Sequence, residues 1–222
     1  MAKIIAISNT KGGVSKSTLA RNIAMACHIN NEKVLAMDCD PQNSLEKFFS
    51  TRFERLDNVE LDVEVKSEST GLKRHILHRS DRYDRVIIDI GGRDTVAMRQ
   101  VLMAAEVVII PVNTSQESTD ALMQMMDAVE DARGVNEDMQ VFLLITMAPS
   151  DPHDTTATVT AEGLSELYEG RATVLNTKIK HRKAWLQSGY DGLAIWEVGT
   201  KENKAASEFE ALINELVKKG VL

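Results

Sequence analysis

Short apolar runs alternate with longer stretches of helical periodicity along almost the whole chain. Strands are predicted over residues 3–8, 33–38, 85–90, 107–112, 141–146 and 173–177. Several are continuous Val/Ile/Leu runs without polar alternation, as expected of parallel strands covered on both faces. Helices are predicted over 16–30, 44–53, 69–78, 95–104, 117–133 and 156–169. A final amphipathic segment, 205–219, sets Phe209, Leu212, Ile213, Leu216 and Val217 at helical spacing. Residues 57–65 read as a further strand near an edge. Repeated strand–helix units imply right-handed crossovers, so the expected fold class is α/β: a single doubly wound, mostly parallel sheet flanked by helices. No repeat, low-complexity tract or linker interrupts the pattern, and residues 1–222 read as one domain.

Composition narrows the class. Of 222 residues, 43% are hydrophobic and 27% charged, enough for a sizeable core and a solvated surface. No run approaches the roughly 18 apolar residues of a membrane span. The first apolar stretch, Ile4 to Ile7, is too short for a secretory signal. Cys27 and Cys39 form neither a disulfide scaffold nor a CxxC pair. The expectation is a cytoplasmic globular protein, with secreted, transmembrane, collagen-like and disordered classes excluded.

Net charge is −7, which alone argues against a protein that coats nucleic acid. The charge is uneven, however: +1 over residues 1–111, −11 over 112–170 and +3 over 171–222. Arg171, Lys178, Lys180, Arg182 and Lys183 occur with no acid between Glu169 and Asp191. Such a cluster can generate a field that the net charge conceals. The plainer alternative is a solvated face whose bases pair with acids elsewhere.

The informative stretch is IIAISNTKGGVSKSTLARNIA, a strand, a glycine-containing loop, Lys-Ser-Thr and a helix. The first N–H groups of a helix lack internal partners, and its dipole favours anions there. Gly12 and Gly13 let the backbone approach phosphate oxygens closely. Lys16 can reach the terminal phosphates and the Ser17 hydroxyl can ligate Mg2+. Downstream, Asp38 and Asp40 are separated by one residue at a strand's carboxyl end, so both project toward the same crevice, although an Asp-Pro turn also explains them. Residues 85–89 form an apolar run ending in Asp89, weak evidence alone.

Lys11-Gly12-Gly13-Val14-Ser15-Lys16-Ser17-Thr18 resembles the deviant Walker A motif of the ParA/MinD group of P-loop ATPases, with Lys11 as its additional lysine. Val34 to Gln42 resembles the group's DxDPQ segment, Arg85 to Asp89 its Walker B strand, and Ala105 to Val112 its "P-V" strand. Thr177 to Lys183, followed by Gly189-Tyr190-Asp191-Gly192, is similar to the closing segment of short plasmid-type ParA proteins. The resemblance implies that residues 11–18 bind ATP and that Lys11 reaches across a homodimer formed on ATP binding. It implies that Asp40 orients the attacking water, that Asp38 lies near the magnesium, and that Asp89 joins the magnesium shell through Ser17 or water.

The chain departs from the group at three places. Ser15 stands where relatives carry glycine; if that position needs positive φ, serine costs roughly 1–2 kcal/mol. Ile90-Gly91-Gly92-Arg93 replaces a proline-containing segment, and Ser118 stands where an aspartate is common. These departures bear on hydrolysis and dimer strength more than on binding, so slow unstimulated turnover is expected. Adenine contacts stay open between Thr146-Met147 and Thr177 to Ile179. His28, His75, His78 and His181 read as solvated surface histidines. Cys27 and Cys39 read as a buried small residue and a motif spacer, and Met123, Met125 and Met126 as fillers of core or interface gaps. Trp185, Tyr190 and Trp196 read as packing near a sheet edge.

The resemblance implies a Mg-dependent DNA-partition ATPase. ATP would gate non-specific DNA binding by Lys178, Lys180, Arg182 and Lys183, and a centromere-binding ParB-like partner would stimulate hydrolysis, on a nucleoid-associated protein. Two alternatives stand beside it. One is a MinD-like regulator on a membrane surface, against which Glu208, Glu210 and Glu215 weaken attraction to anionic lipid, so that core docking of 205–219 and no membrane partner are expected. The other is a nucleotide-binding scaffold with little hydrolysis.

Overall fold

A computed structural model describes residues 2–56, 61–92, 95–199 and 202–222. Seven strands form one sheet: β1 Lys3–Ile7, β2 Val34–Cys39, β3 Asp62–Val65, β4 Arg85–Ile90, β5 Val107–Val112, β6 Gln140–Ala148 and β7 Thr173–Lys180. Among the described residues the helices are α1 Lys16–Ile29, α2 Ser44–Arg55, α3 Leu72–Ser80, α4 Val96–Leu102, α5 Gln116–Arg133, α6 Thr156–Leu167, α7 Lys183–Asp191 and α8 Lys204–Lys218, with a 3-10 turn at Ile195–Glu197. The spatial order is β3-β2-β4-β1-β5-β6-β7, and every pairing is parallel.

The chain runs from β1 outward through β2 to β3, returns to β4 beside β1, and then proceeds to β5, β6 and β7 on the other side. This reversal puts a crevice at the carboxyl ends of the central strands, where doubly wound folds bind ligands. The apolar runs of the inner strands are explained by two cores. Ile4 and Ala6 of β1 point to one, covered by α3, α4, α5 and α6; Ile5 and Ile7 point to the other, covered by α1, α2 and α8. Each face carries a continuous layer of buried Val, Ile and Leu, so within β2, β4 and β5 the polar positions lie at the strand ends, Arg85 at the amino end of β4 and Asp38 and Asp89 toward the crevice.

Most predicted elements are present with small shifts at their ends. The expected edge strand is β3, at Asp62–Val65; residues 57–60 lie outside the described residues. Strand β7 extends three residues beyond its predicted end, and helix α7 was not foreseen. The face Phe209, Leu212 and Leu216 of α8 is buried against β7 and its neighbours, so core docking is what the structure shows. Phe209 lies between Trp185 and Trp196, with ring centroids at 6.1 and 5.9 Å, whereas Tyr190 is exposed. Met125 and Met126 are core residues and Met123 is exposed. Among the described residues, no helix is long and apolar enough to cross a membrane.

Candidate functional site

The loop between β1 and α1 is braced from three sides before any ligand is considered. Asn9 donates from Nδ2 to the Pro111 carbonyl at 2.7 Å, and its Oδ1 accepts from the Lys11 amide at 2.9 Å. Thr10 donates to the Ala121 carbonyl at 2.8 Å, and the buried Thr146 hydroxyl donates to the Val14 carbonyl at 3.1 Å. Thr146 is therefore a brace behind the loop. Gly13 and Ser15 both take left-handed backbone, at φ 74° and 70°. Position 15 thus does require positive φ, and serine holds it under strain.

The loop curls around a cavity of about 940 Å3 whose lining includes Gly12, Gly13, Ser15, Lys16, Ser17, Thr18, Asp40, Gly91 and Gly92. Lys16 is buried, and its ammonium donates to the Lys11 carbonyl at 2.9 Å. Burial lowers the Lys16 pKa below the ordinary lysine value, against the opposing pull of Asp89 and Asp40. Gly91 and Gly92 close on the same residues. A Cβ at 91 would lie 3.3 Å from the Asp40 carboxylate, and one at 92 would lie 3.2 Å from Lys16 Nζ.

The three acids have different environments. Asp89, at the end of β4, is fully buried, and neither carboxylate oxygen meets a donor in good geometry among the described residues. Burial raises its pKa to about 7, and the neighbouring Ser17 hydroxyl offsets only part of that effect. Asp38 is also fully buried, but its oxygens accept from the amides of Asp40 at 3.0 Å and Glu46 at 2.9 Å. Burial raises the Asp38 pKa as well, against those amide donors. Asp38 thus fixes the turn carrying Asp40 and the first turn of α2, whose own N-cap residue, Asn43, makes no side-chain cap. Asp40 is half-buried and lines the cavity, with Oδ1 accepting from the Gln42 amide at 2.9 Å.

Lys11 does not enter this cavity. Its ammonium donates to Ser115 Oγ at 2.7 Å and pairs with Glu117 at 3.1 Å, at the start of α5. Ser118 is buried, and its hydroxyl accepts from the Asn113 amide at 3.2 Å, which shapes the turn that presents Ser115.

Lys178 and Lys180 lie on β7, Arg182 precedes α7 and Lys183 opens it. The acid-free run in the sequence is not acid-free in space: Arg182 pairs with Glu208 of α8 and donates to it from Nε at 3.0 Å. Glu208 also accepts from the Lys180 amide, and Glu215 accepts from the amides of Asn176 and Thr177, both at 2.8 Å. His75 is likewise not a solvated histidine, because it pairs with Glu64 of β3, which also binds Arg79 at 2.7 Å. Both cysteines are buried; burial pushes the Cys27 thiol up to about 12 and raises that of Cys39 further.

Arg21 was not singled out by its sequence context. It lies four residues after Ser17, on the same face of α1, and also lines the cavity. Its guanidinium lies 4.6 Å from the Phe48 ring centroid and donates to the Trp185 carbonyl and Ser188 Oγ, tying α1 to α7. The i, i+4 spacing was a usable signal; its partners 164 and 167 residues away were not.

A buried, unpaired carboxylate beside a serine hydroxyl fits a divalent cation, which would satisfy both oxygens. A strand–glycine loop–helix junction with a buried lysine fits the phosphates of a nucleotide.

A family model described as AAA domain matches residues 2–63 and 54–141. The chain is 23% identical over 218 residues to the maintenance of carboxysome distribution protein A of Halothiobacillus neapolitanus, covering 96% of this chain and 95% of the other. It is 27% identical over 172 residues to the chromosome-partitioning ATPase Soj of Thermus thermophilus, covering 64% and 68%. Among solved structures, apo McdA from Cyanothece matches with a TM-score of 0.79 at 16% identity, over 97% of this chain and 100% of that one. Cobyrinic acid a,c-diamide synthase from Mycobacterium smegmatis, with bound ATP analogue and magnesium, matches at 0.73 and 21% identity, over 99% and 97%. With the loop, the paired strand-end acids and the parallel sheet all in place, the chain belongs to the AAA-domain family of P-loop ATPases, in its ParA/MinD group.

Proposed function

We propose that this chain is a nucleotide-gated positioning ATPase that binds ATP with Mg2+ in the cavity beside β1 and distributes a cargo over non-specific DNA. The observation that carries the reading is the gathering of Lys16, Ser17 and Asp40 on that cavity, with the unpaired Asp89 beside Ser17. Lys16 and the amides of residues 12–18 hold the phosphate chain, as the group's motif implies. Ser17 and Asp89 hold the cation, which when bound supplies charge neutralisation on the terminal phosphates. Asp38 keeps Asp40 in register through its amide, and Asp40 orients the water that attacks the γ-phosphate. Gly91 and Gly92 allow the segment after β4 to approach both Asp40 and Lys16.

Lys11 completes the partner's site in an ATP-bound homodimer, so its contacts with Ser115 and Glu117 belong to the unpaired chain. Leaving them gives up the bond to Ser115 and a pair whose carboxylate is largely exposed, from a Lys11 side chain that is itself 19% exposed. One P-loop domain spanning residues 1–222 carries the whole cycle, and unstimulated turnover is slow. The relatives named for carboxysomes and for chromosomes support positioning as the shared task. The cargo is then set by an adaptor that stimulates hydrolysis, a ParB-like protein on DNA or its counterpart on another assembly. The buried apolar face of α8 argues against a membrane-surface regulator.

The test is sedimentation and DNA binding with ATP, with ADP and without nucleotide. Dimerisation and DNA retention that both require ATP and Lys11 support the reading. Equal DNA affinity in all three states refutes it.

A further inference from the structure

The segment 66–82 carries five Lys and Arg residues against two acids, and α3 itself, LKRHILHRS, contains no acid. Some of this charge is spent internally. Arg79 and His75 are bound to Glu64, and Lys66 pairs with Glu68 at 3.2 Å. Lys73, Arg74 and Arg82 make no ion pair among the described residues. Arg74, His78 and Arg82 are exposed and Lys73 is half-buried.

Arg74 and His78, one helical turn apart, form a ridge between two surface grooves of about 590 and 420 Å3. Lys73 borders one groove and Lys66 the other, and among the described residues Asp81 is the single carboxylate lining either. Apart from the two histidines, no aromatic side chain among the described residues lines them, so nothing there is built to stack on a base. On β7, by contrast, Glu208 and Glu215 sit against the strand and Arg182 is taken up by one of them.

We propose that the exposed face of α3 and the turn after it, through Lys73 and Arg74 on the helix and Arg82 two residues past its end, form the surface that holds the phosphate backbone of duplex DNA. This assignment rests on the DNA reading given above and moves its main contact from β7 to α3. Charge complementarity selects the occupant: cations with no ion pair among the described residues, on and just after a helix without acids, fit a regular row of phosphates and read no sequence. Ser67 and Ser69, just before α3, line the nucleotide cavity, so this face begins beside the group that gates it.

The experiment compares the full chain, K73Q/R74Q/R82Q and K178Q/K180Q/K183Q by fluorescence anisotropy on a labelled random-sequence duplex. ATP is present throughout and salt is varied. Arg182 is left alone because it holds Glu208. The assignment expects the α3 variant to bind at least tenfold more weakly at low salt. Its log–log salt slope should be shallower by about 2–3 for each chain engaged, at about 0.9 for every phosphate no longer neutralised. The β7 variant should change less, and thermal unfolding of both should match the parent. An α3 variant that binds like the parent while the β7 variant loses affinity overturns the assignment and leaves the DNA reading standing. A parent that binds no duplex with ATP present overturns both. A parent that binds phosphatidylserine vesicles through α3 but not duplex overturns it in favour of a membrane.

Discussion

Ser15 occupies φ 70° and ψ 23° immediately before Lys16, where the Cβ of an L-residue crowds its own carbonyl region. That conformation costs about 1–2 kcal/mol relative to glycine. The Ser15 side chain makes no cap with α1, so Ser15→Gly removes the strain without deleting a contact that holds the helix. Glycine also widens the unfolded ensemble, which offsets about 0.4–1 kcal/mol. The net gain is about 0–1.6 kcal/mol, equivalent to a rise in Tm of up to about 6 °C for a chain of this size. Gly13, at φ 74°, is the reverse case: Gly13→Ala should lose about 1 kcal/mol. Gly12→Ala meets no atom within 4 Å and has no positive φ, so it should fold like the parent. Position 12 nevertheless lines the phosphate cavity, so nucleotide binding should fall. Calorimetry of the three variants without nucleotide checks the order Ser15→Gly above parent, Gly12→Ala equal to it, and Gly13→Ala below it. A lowered Tm for Ser15→Gly would refute the strain argument.

Asp89→Asn should raise the Tm of the nucleotide-free chain, because it removes a buried carboxylate that has no hydrogen-bond partner in good geometry among the described residues, and should abolish the further rise that Mg2+ with ATP gives the parent. Thermal unfolding with and without the ligand reads both effects. Gly92→Ala should weaken ATP binding, as followed by titration calorimetry, because its Cβ would lie 3.2 Å from Lys16 Nζ and push that ammonium aside. Arg52 binds Glu197 at 2.6 and 2.8 Å and the Gly192 carbonyl at 2.9 Å. Arg52→Met should therefore cost about 2 kcal/mol in denaturant unfolding, between the values for an exposed and a fully buried pair because Glu197 is partly exposed. Burial opposes the Glu197 charge, but Arg52 and the Ala194 amide outweigh it and hold the carboxyl below its ordinary 4.5. That stability is present above pH 4.5 and is lost as pH falls through the lower folded value, so Glu197→Gln should flatten the acid limb of the stability curve there.

The elements most legible in the sequence are those whose surroundings repeat along the chain. Strands β4 and β5 have both faces covered, so every residue from Val86 to Ile88 and from Val107 to Ile110 is apolar and their bounds are plain. Edge strand β7 fully buries Leu175 and Ile179 alone, with polar residues between them, and its last three residues, Lys178 to Lys180, read as charge instead of strand. Helix α7 begins at Lys183 and contains Gly189, which propensity alone disfavours. The glycine is there because a Cβ would lie 2.9 Å from Arg21 Nη1, a tertiary reason with no local trace. The phosphate loop was legible because its chemistry is contiguous from Lys11 to Thr18. The contacts of Lys11 with Glu117, Arg52 with Glu197 and Arg182 with Glu208 join distant segments, and no spacing announces them.

Titration calorimetry of ATP into the full chain, with and without Mg2+, and into Lys16→Ala, tests the central claim most directly. The account predicts one nucleotide per chain, tighter binding when Mg2+ is present, and loss of binding on removal of the Lys16 ammonium. Binding that is equally strong without Mg2+ and in Lys16→Ala would contradict it.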